Sequence, residues 1–233
     1  MEVIILAGWL GTRLANLTKD LPKPMVPIAW SKPFLEYLLD FILKTNKITK
    51  IILSVWYKHE VIMDYFGASY QWVPLVYSIE NVPLWTGGAI KLAMTFVHWN
   101  DFLVVNGDTY FAIDLNDFYQ RHTEAHANVT IALKPMESFD RYGNVLLQWS
   151  TIIQFKEKQF VESGNINAWI YGIRKDYLAW LSLPEKFSLE NDVFMKRCLA
   201  DHYQWVIYDN YFIDIWIPED YDRANKDFIE SSD

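Results

Sequence analysis

Cysteine is nearly absent. Cys198 stands alone among 233 residues, which excludes an internal disulfide framework and gives no sign of an oxidising destination. No run approaches the ~18–20 apolar residues of a membrane span. The opening stretch Met1–Gly8 is apolar but short, lacks a basic segment and runs straight into a glycine loop. It reads as a first strand rather than a signal peptide. These absences point to a soluble cytoplasmic protein without a membrane partner. Basic residues are in deficit, with 21 Lys and Arg against 29 Asp and Glu and a net charge of −8. Such a chain is a poor partner for nucleic acid, which needs a basic surface. A pocket for a small anion needs only a few local cations. Glycine is scarce as well. Roughly 7% usage would place about 16 in a chain this long, yet there are 9, fewer than the 11 Trp.

What remains is a globular composition, 52% apolar and 21% charged. No internal repeat, low-complexity tract or linker interrupts it, so a single domain over residues 1–233 is expected. Short apolar runs alternate with amphipathic segments. Strands are predicted at Val3–Ala7, Lys50–Val55, Val73–Ile79, Phe102–Val105 and Val129–Leu133. Between them, helices are predicted from Pro33 through Leu43, over Glu60–Phe66, after Gly88 to about Val97, and from the N-cap Asp114 onward. This rhythm argues for βαβ units in an α/β fold: a Rossmann-like mixed, mainly parallel sheet flanked by helices. After Lys134 the rhythm changes. Shorter, antiparallel strands are expected at Val145–Gln148, Thr151–Phe155 and Ile166–Ile173. Helices follow at Lys175–Leu181 and Leu189–Leu199, then a strand at Trp205–Tyr208 and a last helix from Pro218 to about Ile229.

Ligands of open parallel sheets sit beyond the carboxyl ends of the strands. Gly8, Gly11, Thr12 and Arg13 follow the first strand, with Pro22-Lys23-Pro24 behind them. Glycine there lets backbone N–H groups approach phosphate, and Arg13 and Lys23 add cations suited to a triphosphate. The loop is neither a Walker P-loop nor a full dinucleotide fingerprint. Asn106-Gly107-Asp108 is a turn tripeptide that can also present a carboxylate. Asp214 lies in the apolar run Phe212–Trp216, where a carboxylate is costly without a partner. Glu157 and Lys158 follow another strand, in a stretch that also reads as a solvated edge. His122 and His126 read as an exposed pair rather than a zinc site, and Cys198 as a small core residue.

In these segments the chain resembles the sugar-1-phosphate nucleotidyltransferases, the nucleoside-diphosphate-sugar pyrophosphorylases. Within them it is similar to the guanylyltransferases acting on D-glycero-α-D-manno-heptose 1-phosphate. The segments that carry the likeness run in order along nearly the whole chain. They are Ile4–Gly8 with Gly11–Leu14, Leu21–Met25, Lys32–Tyr37, Thr86–Ile90, Asn106–Thr109, Phe139–Gly143, Phe155–Lys158, Tyr211–Ile215 and Pro218–Tyr221. The resemblance implies in-line attack of a sugar 1-phosphate on the α-phosphorus of a nucleoside triphosphate, with loss of pyrophosphate. Charge neutralisation and alignment carry such a step. It implies a nucleotide-binding half, residues 1–134, and a sugar-binding half, residues 135–233. Leu6, Ala7, Gly8, Gly11, Thr12, Arg13 and Lys23 would hold the triphosphate. Glu80, Thr86, Gly87 and Gly88 would meet the base. Glu80 favours GTP, since a carboxylate can accept both guanine N1–H and the 2-amino group, although it also reads as a surface residue before a turn. Arg13, Lys23 and Asp108 would be catalytic. Asp108 and Asp214 would hold Mg²⁺. Tyr142, Gly143, Glu157, Lys158 and Asn167 would hold the sugar phosphate. A homo-oligomer is left open.

The chain departs from the family at Trp9, Trp85, Trp169 and Trp216, where the pattern has Gly. Trp30, Trp56, Trp72 and Trp149 are further candidates. This accounts for the tryptophan excess and the glycine deficit together. We expect the fold to survive and nucleotide affinity to suffer. Three rivals stand beside the heptose reading. One is uridylyl-, thymidylyl- or mannose-1-phosphate guanylyltransferase activity. The second is a catalytically silent binding protein on the same fold. The third is a glycosyltransferase that consumes nucleotide sugars, against which the Gly-Thr-Arg and Pro-Lys-Pro cations argue.

Overall fold

The computed structural model describes residues 1–14, 17–29, 32–149 and 151–230. An eight-stranded sheet forms its centre. In chain order its strands are β1 (Glu2–Leu6), β2 (Lys50–Val55), β3 (Ser69–Tyr70), β4 (Val73–Ile79), β5 (Asp101–Asn106), β6 (Val129–Phe139), β7 (Val161–Arg174) and β8 (Tyr203–Ile207). Side by side they run β8-β6-β7-β5-β1-β2-β4-β3. The β5-β1-β2-β4 block is parallel, and β8 runs parallel to β6. Strand β7 is antiparallel to both β5 and β6. The sheet is therefore mixed, as expected.

The helices are α1 (Phe34–Leu43), α2 (His59–Phe66), α3 (Trp85–Ala93), α4 (Leu115–Glu124), α5 (Lys175–Trp180) and α6 (Pro218–Glu230). Both faces of the sheet are covered, which explains why β1 reads as an unbroken apolar run. Val3 and Ile5 pack with Leu35, Leu38 and Ile42 of α1. Ile4 and Leu6 point the other way, onto Ala89, Ile90 and Ala93 of α3. A third cluster sets Phe228 and Tyr221 of α6 against Phe34, Ile213 and Ile215. Each such buried side chain contributes roughly 1.5–3 kcal/mol.

Several expectations need correction. Helix α3 begins at Trp85, before Gly88, so Gly87 and Gly88 lie inside it. A Cβ on Gly87 would sit 2.1 Å from the Phe187 ring, and one on Gly88 2.4 Å from the Glu185 carbonyl. Close packing of the 185–187 segment outweighs the helix cost of these glycines. The predicted short strand Ile166–Ile173 is part of the fourteen-residue β7. Strand β6 runs on to Phe139 and so crosses residue 134. The predicted helix Leu189–Leu199 is a π-helical turn, Leu189–Phe194, followed by a short α-helical stretch, Met195–Arg197. His122 is fully buried rather than exposed, with Nδ1 2.8 Å from Thr130 Oγ1. Cys198 is buried, as expected. Three small antiparallel ladders flank the sheet: Val145–Gln148 with Thr151–Phe155, Thr109–Phe111 with Phe212–Asp214, and Pro27–Ile28 with Lys32–Pro33.

Four of the suspect tryptophans occupy left-handed backbone: Trp72 (φ 71°), Trp85 (64°), Trp149 (55°) and Trp169 (56°). This region favours glycine and costs other residues about 1–2 kcal/mol. Trp169 sits where the β7–β6 register shifts, between Asn167 and Tyr171. Trp9, Trp56 and Trp216 have no such backbone. Trp30 lies outside the described residues.

Candidate active site

Strands β1 and β5 end side by side, and the chain leaving each is drawn close to the other. The Gly107 N–H donates to the Leu6 carbonyl at 2.9 Å. A Cβ at residue 107 would lie 2.8 Å from that oxygen, so glycine is required for the approach. Beyond Ala7 and Gly8 the loop turns through Gly11, at φ 68°, into the single turn Thr12–Leu14. It closes where the Lys23 N–H donates to the Trp9 carbonyl at 3.3 Å. This closure carries the Lys23 side chain under the loop, where it is 2% exposed. Its ammonium donates to Asp108 Oδ2 at 2.6 Å.

The second carboxylate arrives from the far end of the chain. In the Thr109–Phe111 ladder Asp214 pairs with Thr109, and the Ile215 N–H donates to the Asp108 carbonyl at 3.0 Å. Asp214 is 3% exposed. Burial pushes its carboxyl up to about 7; the charges of Asp108 and Asp220 add to the rise, and Lys23 and the Tyr142 hydroxyl oppose it. Asp214 Oδ1 is buried without a hydrogen-bond partner. An orphaned oxygen at such a site is expensive unless something else takes it. Asp108 and Asp214 offer hard oxygen donors, and no group of three acidic or His/Cys ligands exists among the described residues. A pair of carboxylates fits a Mg²⁺-sized ion that keeps waters and draws its other ligands from phosphate.

Two adjoining cavities open here, of about 380 and 240 Å³, and share Trp9, Thr86, Asp108 and Trp216. Leu6, Gly8, Gly11, Thr12, Arg13, Lys23 and Glu80 line the first. Asp214 and Lys158 line the second. Glu80 is buried, not a surface residue. Its carboxylate accepts from the Leu84 N–H at 2.9 Å, and burial raises its pKa. The Arg13 guanidinium lies 4.3 Å from the Trp216 ring centre, and Lys158 Nζ lies 3.5 Å from it. Partial burial lowers the Lys158 pKa, and the Arg13 charge lowers it further. Trp9 Nε1 is buried in the cleft without an acceptor.

Other sequence candidates stand back from these cavities. Ala7 is buried beneath the loop. Gly87 and Gly88 face Phe187 and Glu185. Tyr142 lies behind Asp214, with its ring 5.8 Å from that of Trp169. Gly143 packs near the Lys156 carbonyl. Asn167 lies behind Trp169 and accepts its N–H at 3.1 Å. Glu157 is exposed and lines neither cavity. Sequence reasoning missed Glu190 and Ser54, which line the second and first cavities. Ser54 is an unremarked polar residue in an apolar strand; Glu190 looks like an ordinary helix-start acid.

The fold is that of an α/β transferase, and the chain belongs to the nucleotidyl transferase family, whose pattern matches residues 2–227. It is 46% identical over 227 residues to the D-glycero-alpha-D-manno-heptose 1-phosphate guanylyltransferase of Aneurinibacillus thermoaerophilus, covering 97% of this chain and 98% of that one. The protein of the same name from Campylobacter jejuni is 44% identical, with 95% and 97% covered. Among solved structures, HddC from Yersinia pseudotuberculosis complexed with GMP-PN superposes with a TM-score of 0.86 at 35% identity, covering 97% of this chain and 99% of that one.

Proposed function

We propose that this chain transfers the guanylyl group of GTP to a heptose 1-phosphate, yielding a GDP-activated heptose and pyrophosphate. The gathering of Lys23, Asp108 and Asp214 at one sheet edge carries the reading. The names of the relatives supply the base and the sugar. A phosphate oxygen of the sugar 1-phosphate attacks the α-phosphorus, the bond to the β-phosphoryl oxygen breaks, and pyrophosphate leaves with its charge. The attacking oxygen is already an anion, so alignment and charge neutralisation outweigh proton transfer.

Residues 1–134 hold the nucleotide and residues 135–233 the sugar phosphate, within a single domain. The loop Leu6–Arg13 cradles the triphosphate. Lys23 spans its phosphates, and Arg13 meets the departing pyrophosphate. Glu80 and the Thr86 region read the base. Lys158 holds the sugar phosphate, with Glu157, Tyr142, Gly143 and Asn167 shaping that half. Asp108 and Asp214 hold the divalent ion, Mg²⁺, which supplies positive charge to the phosphate oxygens. A cytoplasmic location belongs to this reading, since its substrates are nucleotides and sugar phosphates. No described helix is long and apolar enough to cross a membrane.

Pyrophosphate release tests the proposal. GTP with heptose 1-phosphate and Mg²⁺ should exceed UTP, dTTP and mannose 1-phosphate in the same assay. Equal rates with every nucleotide would remove the guanylyl assignment. A second reading, a silent binding protein, is favoured by Trp216, whose ring engages both Arg13 and Lys158. It expects no pyrophosphate from any pair.

A further inference from the structure

A group of hydrogen bonds that the transfer chemistry leaves unused runs beneath the cleft and converges on Glu190. This residue is the second of the π-helical turn Leu189–Phe194, and it lines the same cavity as Asp108, Asp214 and Lys158. Glu190 Oε2 accepts from Thr86 Oγ1 at 2.7 Å and from Ser188 Oγ at 3.0 Å. Glu190 Oε1 accepts from the Tyr171 hydroxyl at 3.2 Å. Both long arms are already committed further out. Thr86 Oγ1 accepts the Leu189 N–H at 2.9 Å. The Tyr171 oxygen accepts from Asn167 Nδ2 at 2.8 Å, and Asn167 Oδ1 accepts the Trp169 N–H at 3.1 Å.

The direction of these bonds matters. Each chain of donors ends on Glu190, and an ionised carboxylate is the side chain that accepts on both oxygens and donates on neither. Bonds to a charged acceptor are shorter and stronger than neutral ones. Tyr171 is fully buried, so its hydroxyl has no water to fall back on. The π-helical turn agrees with this, since such bulges are rare and frequent at functional sites.

Thr86 lines both cavities, whereas Trp169 lines only the second. We propose that Glu190 is a positioning residue that holds two facing walls at once. Its Oε2 fixes Thr86 on the nucleotide side. Its Oε1 fixes Tyr171, and through it the Asn167–Trp169 turn, on the sugar side. The assignment of a ligand to each wall rests on the transferase reading above.

Calorimetric titration separates the arms. The unmodified chain and three variants, Glu190→Ala, Thr86→Val and Tyr171→Phe, are titrated with GTP plus Mg²⁺ and, separately, with D-glycero-α-D-manno-heptose 1-phosphate. Glu190→Ala should weaken both ligands by roughly tenfold, the scale of one lost hydrogen bond each. Tyr171→Phe should weaken the sugar phosphate alone, whereas Thr86→Val, at a residue that lines both cavities, should weaken GTP the more. A purely structural role would lower Tm without this one-sided split. Should Glu190→Ala not fold, Glu190→Gln keeps the volume and must weaken at least one ligand. Unchanged affinities in the Glu190 variants, beside measurable binding by the unmodified chain, overturn the Glu190 assignment alone. Binding of neither ligand by the unmodified chain overturns the transferase reading, and the Glu190 assignment with it.

Discussion

Lys23 Nζ and Asp108 Oδ2 lie 2.6 Å apart although 85 residues separate them in the chain. Removing one partner of a buried ion pair leaves the other charge unpaired, at a cost of about 3–5 kcal/mol. Here the stranded charge would be Asp108, close enough to Asp214 to raise that carboxyl. Lys23→Met should therefore lower the denaturation midpoint and reduce pyrophosphate release at least a hundredfold. A variant that keeps full turnover would show that the ammonium plays no part with the phosphates.

Asp214→Asn keeps the shape of the side chain and removes its negative charge. Turnover should fall by more than a hundredfold. The divalent-ion concentration needed for half-maximal rate should rise in any residual activity. The fold should hold or gain stability, because the carboxylate is disfavoured by burial where it stands. A lowered Tm with an unaltered metal dependence would contradict the assignment.

Trp216 presents its ring to both Arg13 and Lys158. Each such contact is worth about 0.5–2 kcal/mol, and a polyphosphate must displace them to reach the cations. Freeing Arg13 from the ring, Trp216→Gly should strengthen GTP binding by about two- to thirtyfold, read by calorimetry. Equal affinity in both proteins would mean the ring stands aside at no cost.

Trp72 and Trp149 separate backbone strain from occlusion. They are 97% and 92% exposed and hold φ of 71° and 55°. Little packing is lost by shortening either side chain. Trp72→Gly and Trp149→Gly should each stabilise the protein by up to about 1 kcal/mol in urea unfolding, the relieved strain less the added chain entropy. Destabilisation by either change would assign the indole a partner.

His122 gives a pH signature. Burial, with the nearby Arg174 charge, lowers its pKa to about 4. Its Nε2 lies 3.4 Å from Asp101 Oδ1, but neither atom has a hydrogen-bond partner. The unfolded chain takes up this proton near pH 6.5 and the folded chain does not until about 4. The resulting stability is present above pH 6.5 and is lost as the pH falls toward 4, a change of about 3 kcal/mol. An NMR titration of the imidazole should show it neutral at pH 5.5. A midpoint above 6 would contradict this.

Most of the frame is written in local pattern. The apolar runs Val3–Leu6, Ile51–Leu53 and Phe102–Val105 announce strands covered on both faces, and Asp114 announces α4 by accepting from the Asn116 and Asp117 N–H groups. Lys23, Asp108 and Asp214 were legible as costly or chemically suited groups at strand ends. Their meeting was not, because it depends on a ladder of three residues on each side, too short to leave an alternating pattern. Glu190 was hidden for a related reason. Its partners Thr86 and Tyr171 lie 104 and 19 residues away, and no spacing rule joins them. His122 looked exposed because it pairs at i, i+4 with His126, but it shares the buried face of α4 with Leu115 and Phe118. The 11 tryptophans were visible as a count, but only backbone angles and cavity lining show that Trp72 and Trp149 are strained, Trp9 and Trp216 line the cleft, and Trp85 and Trp169 do both.

The ladder that delivers Asp214 also sets when competence can begin during synthesis. A nascent polypeptide halted after α4 already carries the glycine loop, Lys23 and Asp108, yet the partner strand Phe212–Asp214 has not emerged from the ribosome. Such an intermediate can collapse around β1 and β5 but has half of its carboxylate pair, so the cleft is completed only once residues 212–214 have left the ribosome.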